Sequence, residues 1–166
     1  MNMKKVAYIL LLMFVALSSC KQNDYLDWKA LNQAWLEYNK MDSAVVTTQS
    51  GLQYKKLTNP SPNPTESKPN YNSTVDVDYK LYLISSYGGY RVGNLIDEQS
   101  GAVLNLQQVV SGFSEGLQKM RVHDDFMLFI PYDLGYGTDG SGVEGNYKYI
   151  PPYSTLIYEI HLNAMM

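Results

Sequence analysis

The sequence predicts an α+β fold, a curved antiparallel sheet wrapped around one amphipathic helix, with a short extra helix on the N-terminal side. Three observations predict it. From Thr74, the residues Val75, Val77, Tyr79, Leu81 and Leu83 alternate with more polar neighbours, the period of a strand with one buried and one wetter face. Phe113, Leu117 and Met120 fall at i, i+4 and i+7, the strong helical stripe of the later chain. Trp28, Leu31, Trp35 and Tyr38, with Ala34, make a second stripe earlier. Several strands and one amphipathic helix bury their apolar faces best against each other, which is the α+β arrangement.

Taken in order, the elements begin with Lys4 and Lys5 ahead of an apolar run from Val6 to Leu17. That run is too short to span a bilayer and suits the apolar region of a signal peptide. Leu17-Ser18-Ser19 then leads into Cys20, the only cysteine of the chain. The pattern looks like a bacterial lipobox, in which the cysteine is lipidated and becomes the new N-terminus; an ordinary signal peptide with an incidental cysteine is the alternative. Several acyl chains anchor stably where one is marginal. The expected division is a lipoprotein signal peptide over residues 1–19, a lipidated helical segment over 20–49 and one globular domain over 50–166. Lys21 rather than an aspartate after Cys20 favours the outer membrane, with the domain facing the periplasm.

The first helical stripe lies between Asp24, a possible N-cap, and Asn39. It can pack on its own domain, pair with a second copy as a homodimer, or act as a spacer. Ser50 to Leu57 reads as a strand, and four of the seven prolines between Pro60 and Pro69 mark an exposed loop. After the strand from Thr74, Gly88-Gly89 suits a hairpin turn, followed by strands over Tyr90 to Ile96 and Ala102 to Leu106. Phe126 to Ile130 is an apolar strand stopped by Pro131, and Thr155 to Leu162 is the last, with Leu156, Tyr158, Ile160 and Leu162 on one side.

Composition narrows the function. Loss of residues 1–19 removes two lysines and no acid, so the net charge moves from −3 to −5 and argues against a nucleic-acid partner. With Cys20 lipidated no disulfide can form, so packing must supply stability. Fifteen tyrosines suit half-buried strands or a binding surface. Gly135-Tyr136-Gly137-Thr138-Asp139-Gly140 matches G-x-G-x-x-G, but glycines and prolines follow where a dinucleotide site needs a helix to open. The two histidines, His123 and His161, lack metal-ligand spacing, and no metal or cofactor is expected.

Six segments, in order, resemble the FKBP-type peptidyl-prolyl isomerases, and among them the macrophage infectivity potentiator group. They are Ser50-Gly51-Leu52-Gln53-Tyr54; Val75-Asp76-Val77-Asp78-Tyr79; Gly93-Asn94-Leu95-Ile96-Asp97; Gln108-Val109-Val110 with Gly112-Phe113; Leu134-Gly135-Tyr136-Gly137; and Ile150-Pro151-Pro152. Tyr158 stands where that family has a pocket phenylalanine. The resemblance implies that Phe113 forms a pocket floor for a proline ring, with Tyr79, Ile96, Val109, Val110 and Tyr158 as walls. It implies that the Tyr136 hydroxyl and the Ile150 N–H donate to substrate carbonyls and that Asp97 sits at the rim. Ile96 replaces an aromatic, Phe113 a tryptophan, and Ala102 an aromatic wall; a longer stretch around Tyr87-Gly88-Gly89-Tyr90 is expected to overhang the mouth.

The implied chemistry is rotation about X-Pro bonds in polypeptide clients of the cell envelope. Amide resonance sets a barrier of about 18–20 kcal/mol, and exchange unaided takes tens to hundreds of seconds. A dry pocket favours the twisted, less polar amide, while preorganised donors hold the substrate in the rotating geometry. The alternative is a binding module or chaperone that keeps the groove without catalysis. Tyr158 adds a hydroxyl to a buried wall, and an unpartnered one costs about 1–3 kcal/mol, so it requires a partner.

Overall fold

The computed structural model describes residues 25–57, 67–85 and 92–166. Cys20, Asp24 and the turn at Gly88-Gly89 lie outside the described residues. The chain is helical over residues 25–39 (α1) and continues through β1 (Val45–Thr47), β2 (Gln53–Lys56), β3 (Thr74–Ile84), β4 (Val92–Asn105), α2 (Ser111–Leu117), β5 (Asp125–Ile130), a 3-10 turn (Tyr132–Leu134) and β6 (Leu156–Met165). The strands form one six-stranded sheet in the order β1-β2-β5-β6-β3-β4, with every neighbouring pair antiparallel.

Period-2 alternation sorts the side chains onto two faces. Val75, Val77, Leu81, Leu128, Ile130, Leu156, Tyr158, Ile160 and Leu162 point to the face covered by α2, where Phe113, Leu117 and Met120 complete the main core. Helix α2 has seven residues, and Met120 is buried just beyond its end. It lies close on β5: a Cβ on Gly116 would press into Leu128 Cδ1 and stand 2.7 Å from Cδ2. Glycine is what permits that approach.

The other face carries a smaller core. Ile84, Phe129 and Ile157, the outward neighbours of main-core residues, receive Trp35 of α1, with Trp28, Leu31 and Leu36 alongside. The first helix therefore packs on its own sheet, and its apolar face is covered. Its buried stripe is rotated from the expected one. Asn32 is buried while Ala34 and Tyr38 face solvent, because Asn32 has backbone partners waiting for it. The buried Gln53 ties the end of the helix to β2, accepting from Asn39 Nδ2 at 2.8 Å and donating to the Leu36 carbonyl at 3.1 Å.

Two further expectations change. The sequence showed no sign of β1, which pairs with β2 and extends the sheet into the 20–49 segment. The strands expected over Tyr90 to Ile96 and Ala102 to Leu106 are one strand of 14 residues, β4. Its polar middle, Asp97 to Ser100, masks the continuity, and register shifts against β3 break its alternation.

Candidate functional site

Strands β3, β4 and β6, helix α2 and two loops converge on one cavity of about 220 Å³ beside the main core, lined by Tyr79, Leu104, Gln108, Val109, Val110, Phe113, Tyr136 and Tyr158. Tyr79 comes from β3 and Tyr158 from the neighbouring β6, placed on the core side by alternation. Phe113 comes from the first turn of α2, and Tyr136 from the loop after the 3-10 turn. Three rings meet edge to face: Phe113 and Tyr158 have centroids 4.8 Å apart, Tyr79 and Tyr158 5.7 Å, and Tyr79 and Phe113 6.3 Å. Such pairs are favourable and hold their rings in fixed orientations.

The hydroxyls are organised as well. Tyr79 donates to Asp97 Oδ2 at 2.9 Å, and Lys148 Nζ donates to Asp97 Oδ1 at 2.8 Å. Burial alone would raise the Asp97 carboxyl, but the hydrogen bonds from Lys148 and Tyr79 hold it below its ordinary range. The Tyr158 hydroxyl finds its partner in Tyr136. Burial raises both phenols, and the neighbouring Tyr136 raises that of Tyr158 further. Tyr136 lines the cavity and is 37% exposed, so its hydroxyl can reach an incoming group.

Tyr79 is pushed up to about 12 by burial and by the adjacent Asp97. A phenol held neutral in the folded state while the unfolded chain ionises near pH 10 makes stability fall as pH rises from about 10 to about 12. Below that window its contribution is fully present. Melting temperatures measured from pH 8 to 12 are expected to drop more steeply for the wild type than for Tyr79→Phe, and parallel curves would remove Tyr79 from this account.

The structure brings together Tyr79, Asp97, Val109, Val110, Phe113, Tyr136 and Tyr158. It does not bring Ile96 or Ile150 to the cavity. Ile96 lies on an adjacent groove with Trp28, Leu83 and Pro151, packed against the main core. The Ile150 N–H, expected as a substrate donor, already donates to the Ser141 carbonyl at 2.8 Å, and the Ser141 N–H returns the bond at 2.9 Å. A backbone group closed into a two-way bridge is not available to a ligand. The Val110 N–H, one residue before α2, has no partner among the described residues and belongs to a residue lining the cavity. Lys148 was also missed, since nothing in the local pattern of its glycine-rich loop signals a contact 51 positions away. A larger groove of about 380 Å³ lies on the other face of the sheet, with Lys80, Glu98, Asp125 and Glu159 among its walls.

Residues 65–163 match the sequence profile of FKBP-type peptidyl-prolyl cis-trans isomerases. The chain is 36% identical over 138 residues to the outer membrane protein MIP of Legionella longbeachae, covering 81% of this chain and 52% of that protein. It is 30% identical over 142 residues to the FKBP-type isomerase FkpA of Aeromonas hydrophila, covering 86% and 48%. It thus spans about half the length of these relatives. Among solved structures, FkpA of Escherichia coli superposes with a TM-score of 0.72 at 28% identity, covering 87% of this chain and 62% of that one. A peptidyl-prolyl isomerase of Pseudomonas syringae gives 0.69 at 26% identity, covering 82% and 91%.

Proposed function

Since the chain belongs to the FKBP-type peptidyl-prolyl cis-trans isomerase family, we propose that its aromatic cavity rotates X-Pro bonds in proline-containing polypeptides of the bacterial cell envelope. The observation that carries this reading is the aromatic cavity: Phe113, Tyr79 and Tyr158 meet edge to face around a space of about 220 Å³, with Tyr136 on its wall to donate its hydroxyl to a substrate carbonyl. The proline ring rests on Phe113 between Tyr79, Val109, Val110 and Tyr158. With water excluded, the planar amide loses solvation that its resonance form depends on, and the twisted amide does not. Val110, in place of Ile150, supplies the backbone N–H. Asp97 lies beyond the aromatic wall, where it fixes Tyr79 and carries the negative charge at the rim. Rotation breaks no bond and moves no proton, so positioning and desolvation supply the acceleration.

We place the protein at the envelope on two supports, the Leu17-Ser18-Ser19-Cys20 sequence and the outer-membrane name of one relative. Lipid on Cys20 anchors it, and α1 is used on its own sheet.

A protease-coupled or NMR exchange assay on a short proline peptide tests the activity. Purified protein is expected to accelerate exchange well above the spontaneous rate, and Tyr136→Phe to lower kcat/KM roughly tenfold, the worth of one neutral hydrogen bond. A folded protein that binds the peptide without accelerating it would make the cavity a binding groove instead. An unchanged rate in Tyr136→Phe would remove that hydroxyl from the site.

A further inference from the structure

The helix α1 lies on the face of the sheet opposite the cavity, yet its first two turns hold the segment that the Tyr136 loop leans on. Asn32 is 1% exposed and satisfied at both ends of its amide. Its Nδ2 donates to the Trp28 carbonyl at 2.8 Å, and its Oδ1 accepts the Thr155 N–H at 2.7 Å. Trp28 Nε1 donates to Ser154 Oγ at 3.0 Å, and that hydroxyl donates on to the Pro151 carbonyl at 2.7 Å. Lys29 Nζ sits 4.9 Å from the centre of the Tyr153 ring, and Tyr25 shares a hydroxyl bond of 3.1 Å with Tyr149. Four consecutive contacts from one helix thus clamp the turn over residues 149–155.

That turn is strained. Tyr153 has φ +62°, a left-handed conformation that a bulky residue keeps only where its surroundings over-determine it. In this conformation the Tyr153 N–H donates to the Gly137 carbonyl at 3.0 Å, while the Gly137 N–H donates to the Tyr132 carbonyl at 2.7 Å. Gly137 follows Tyr136 directly, so the clamped turn fixes the backbone that aims the Tyr136 hydroxyl.

We infer that α1 is a strut of the catalytic loop and that Asn32 is a positioning residue for Tyr136, acting through Thr155, Tyr153 and Gly137. This rests on the isomerase reading of the cavity. It extends the working unit beyond the family-matched residues 65–163 to include the preceding helix. A loop held in place aligns a donor in the transition state without adding ground-state contacts, so its loss falls on kcat and spares KM.

The test compares Asn32→Ala and Trp28→Phe with Trp35→Leu in the purified protein. Trp35 packs on Phe129 with ring centroids 5.6 Å apart, about one turn beyond Asn32 on the same helix, and its indole N–H makes no hydrogen bond to the turn. All three are expected to lower the melting temperature. Only Asn32→Ala and Trp28→Phe are expected to lower kcat, by roughly fivefold to tenfold at unchanged KM, and to speed hydrogen exchange at the Gly137 and Tyr153 amides at least tenfold relative to β5 and β6. Trp28→Phe removes the indole donor and keeps one aromatic ring in place, a smaller loss of packing than a truncation, so it reports even where Asn32→Ala fails to fold. Unchanged exchange and kcat in a folded Trp28→Phe or Asn32→Ala would overturn the strut, as would an equal loss of kcat in Trp35→Leu. An inactive wild type whose loop still loosens in both variants would instead sink the isomerase reading and leave the mechanical link standing.

Discussion

Phe113→Ala is expected to lower kcat/KM at least a hundredfold and to destabilise the protein by about 3–5 kcal/mol, the range for removing a buried phenylalanine. The ring is 3% exposed and makes edge-to-face contacts with both Tyr79 and Tyr158, so its loss frees two other walls as well as the floor. A domain of this size has about 5–15 kcal/mol of stability, so the variant survives with a small margin. Phe113→Leu separates the two effects. It retains most of the buried apolar volume and keeps α2 seated on β5, yet offers no flat face to a proline ring. Urea denaturation and the peptide assay, run on both variants, are expected to show Phe113→Leu folded and about tenfold slower. Full activity in folded Phe113→Leu would refute the assignment of the floor.

Gly140→Ala is the second large effect, and its cause lies in backbone geometry. Gly140 has φ +71°, and a Cβ there would overlap the Ile150 carbonyl oxygen and stand 2.8 Å from the Pro152 nitrogen. Both neighbours are main-chain atoms, so no side-chain rotation relieves the overlap. The left-handed conformation alone costs about 1 kcal/mol or more for alanine. The overlap adds to it by forcing apart the Ser141–Ile150 bridge, for an expected total on the order of 3 kcal/mol. The Gly140 N–H donates to the Tyr136 carbonyl at 3.1 Å, so activity is expected to fall along with the melting temperature. Gly137→Ala is the internal comparison: φ is +65° but nothing lies within 4 Å of the new Cβ, so only the backbone cost of about 1 kcal/mol applies. Equal melting temperatures for the two variants would mean that the bridge does not matter.

Much of the site was legible because strand alternation and motif order are local. Tyr79, Phe113 and Tyr158 share one cavity because each sits at a position whose facing is decided by a period of two or of 3.6. The need of Tyr158 for a partner followed from desolvation, and the partner proved to be another expected site residue. The misreadings concern groups whose state depends on distant chain. Ile150 matched its motif, yet a return bond from Ser141 takes its N–H. Ile96 follows the expected glycine spacing, but the register shifts between β3 and β4 turn it toward the neighbouring groove. The rotation of α1 about Asn32 was hidden for a similar reason. A polar residue reads as solvent-facing unless its buried partners, here the Thr155 N–H and the Trp28 carbonyl, are known.

The outer border of the sheet has a consequence for how such a protein endures among other unfolding chains. At 14 residues β4 is the longest strand, and it is the last in the sheet, so one of its sides pairs with nothing among the described strands. A flat ribbon of that length would invite extended segments from other molecules to stack on it and seed aggregates. Three irregularities in its alignment with β3, together with the carboxylates of Asp97 and Glu98, interrupt the row of free amides and carbonyls every few residues. The edge therefore offers a foreign extended chain no long, regular template to pair with.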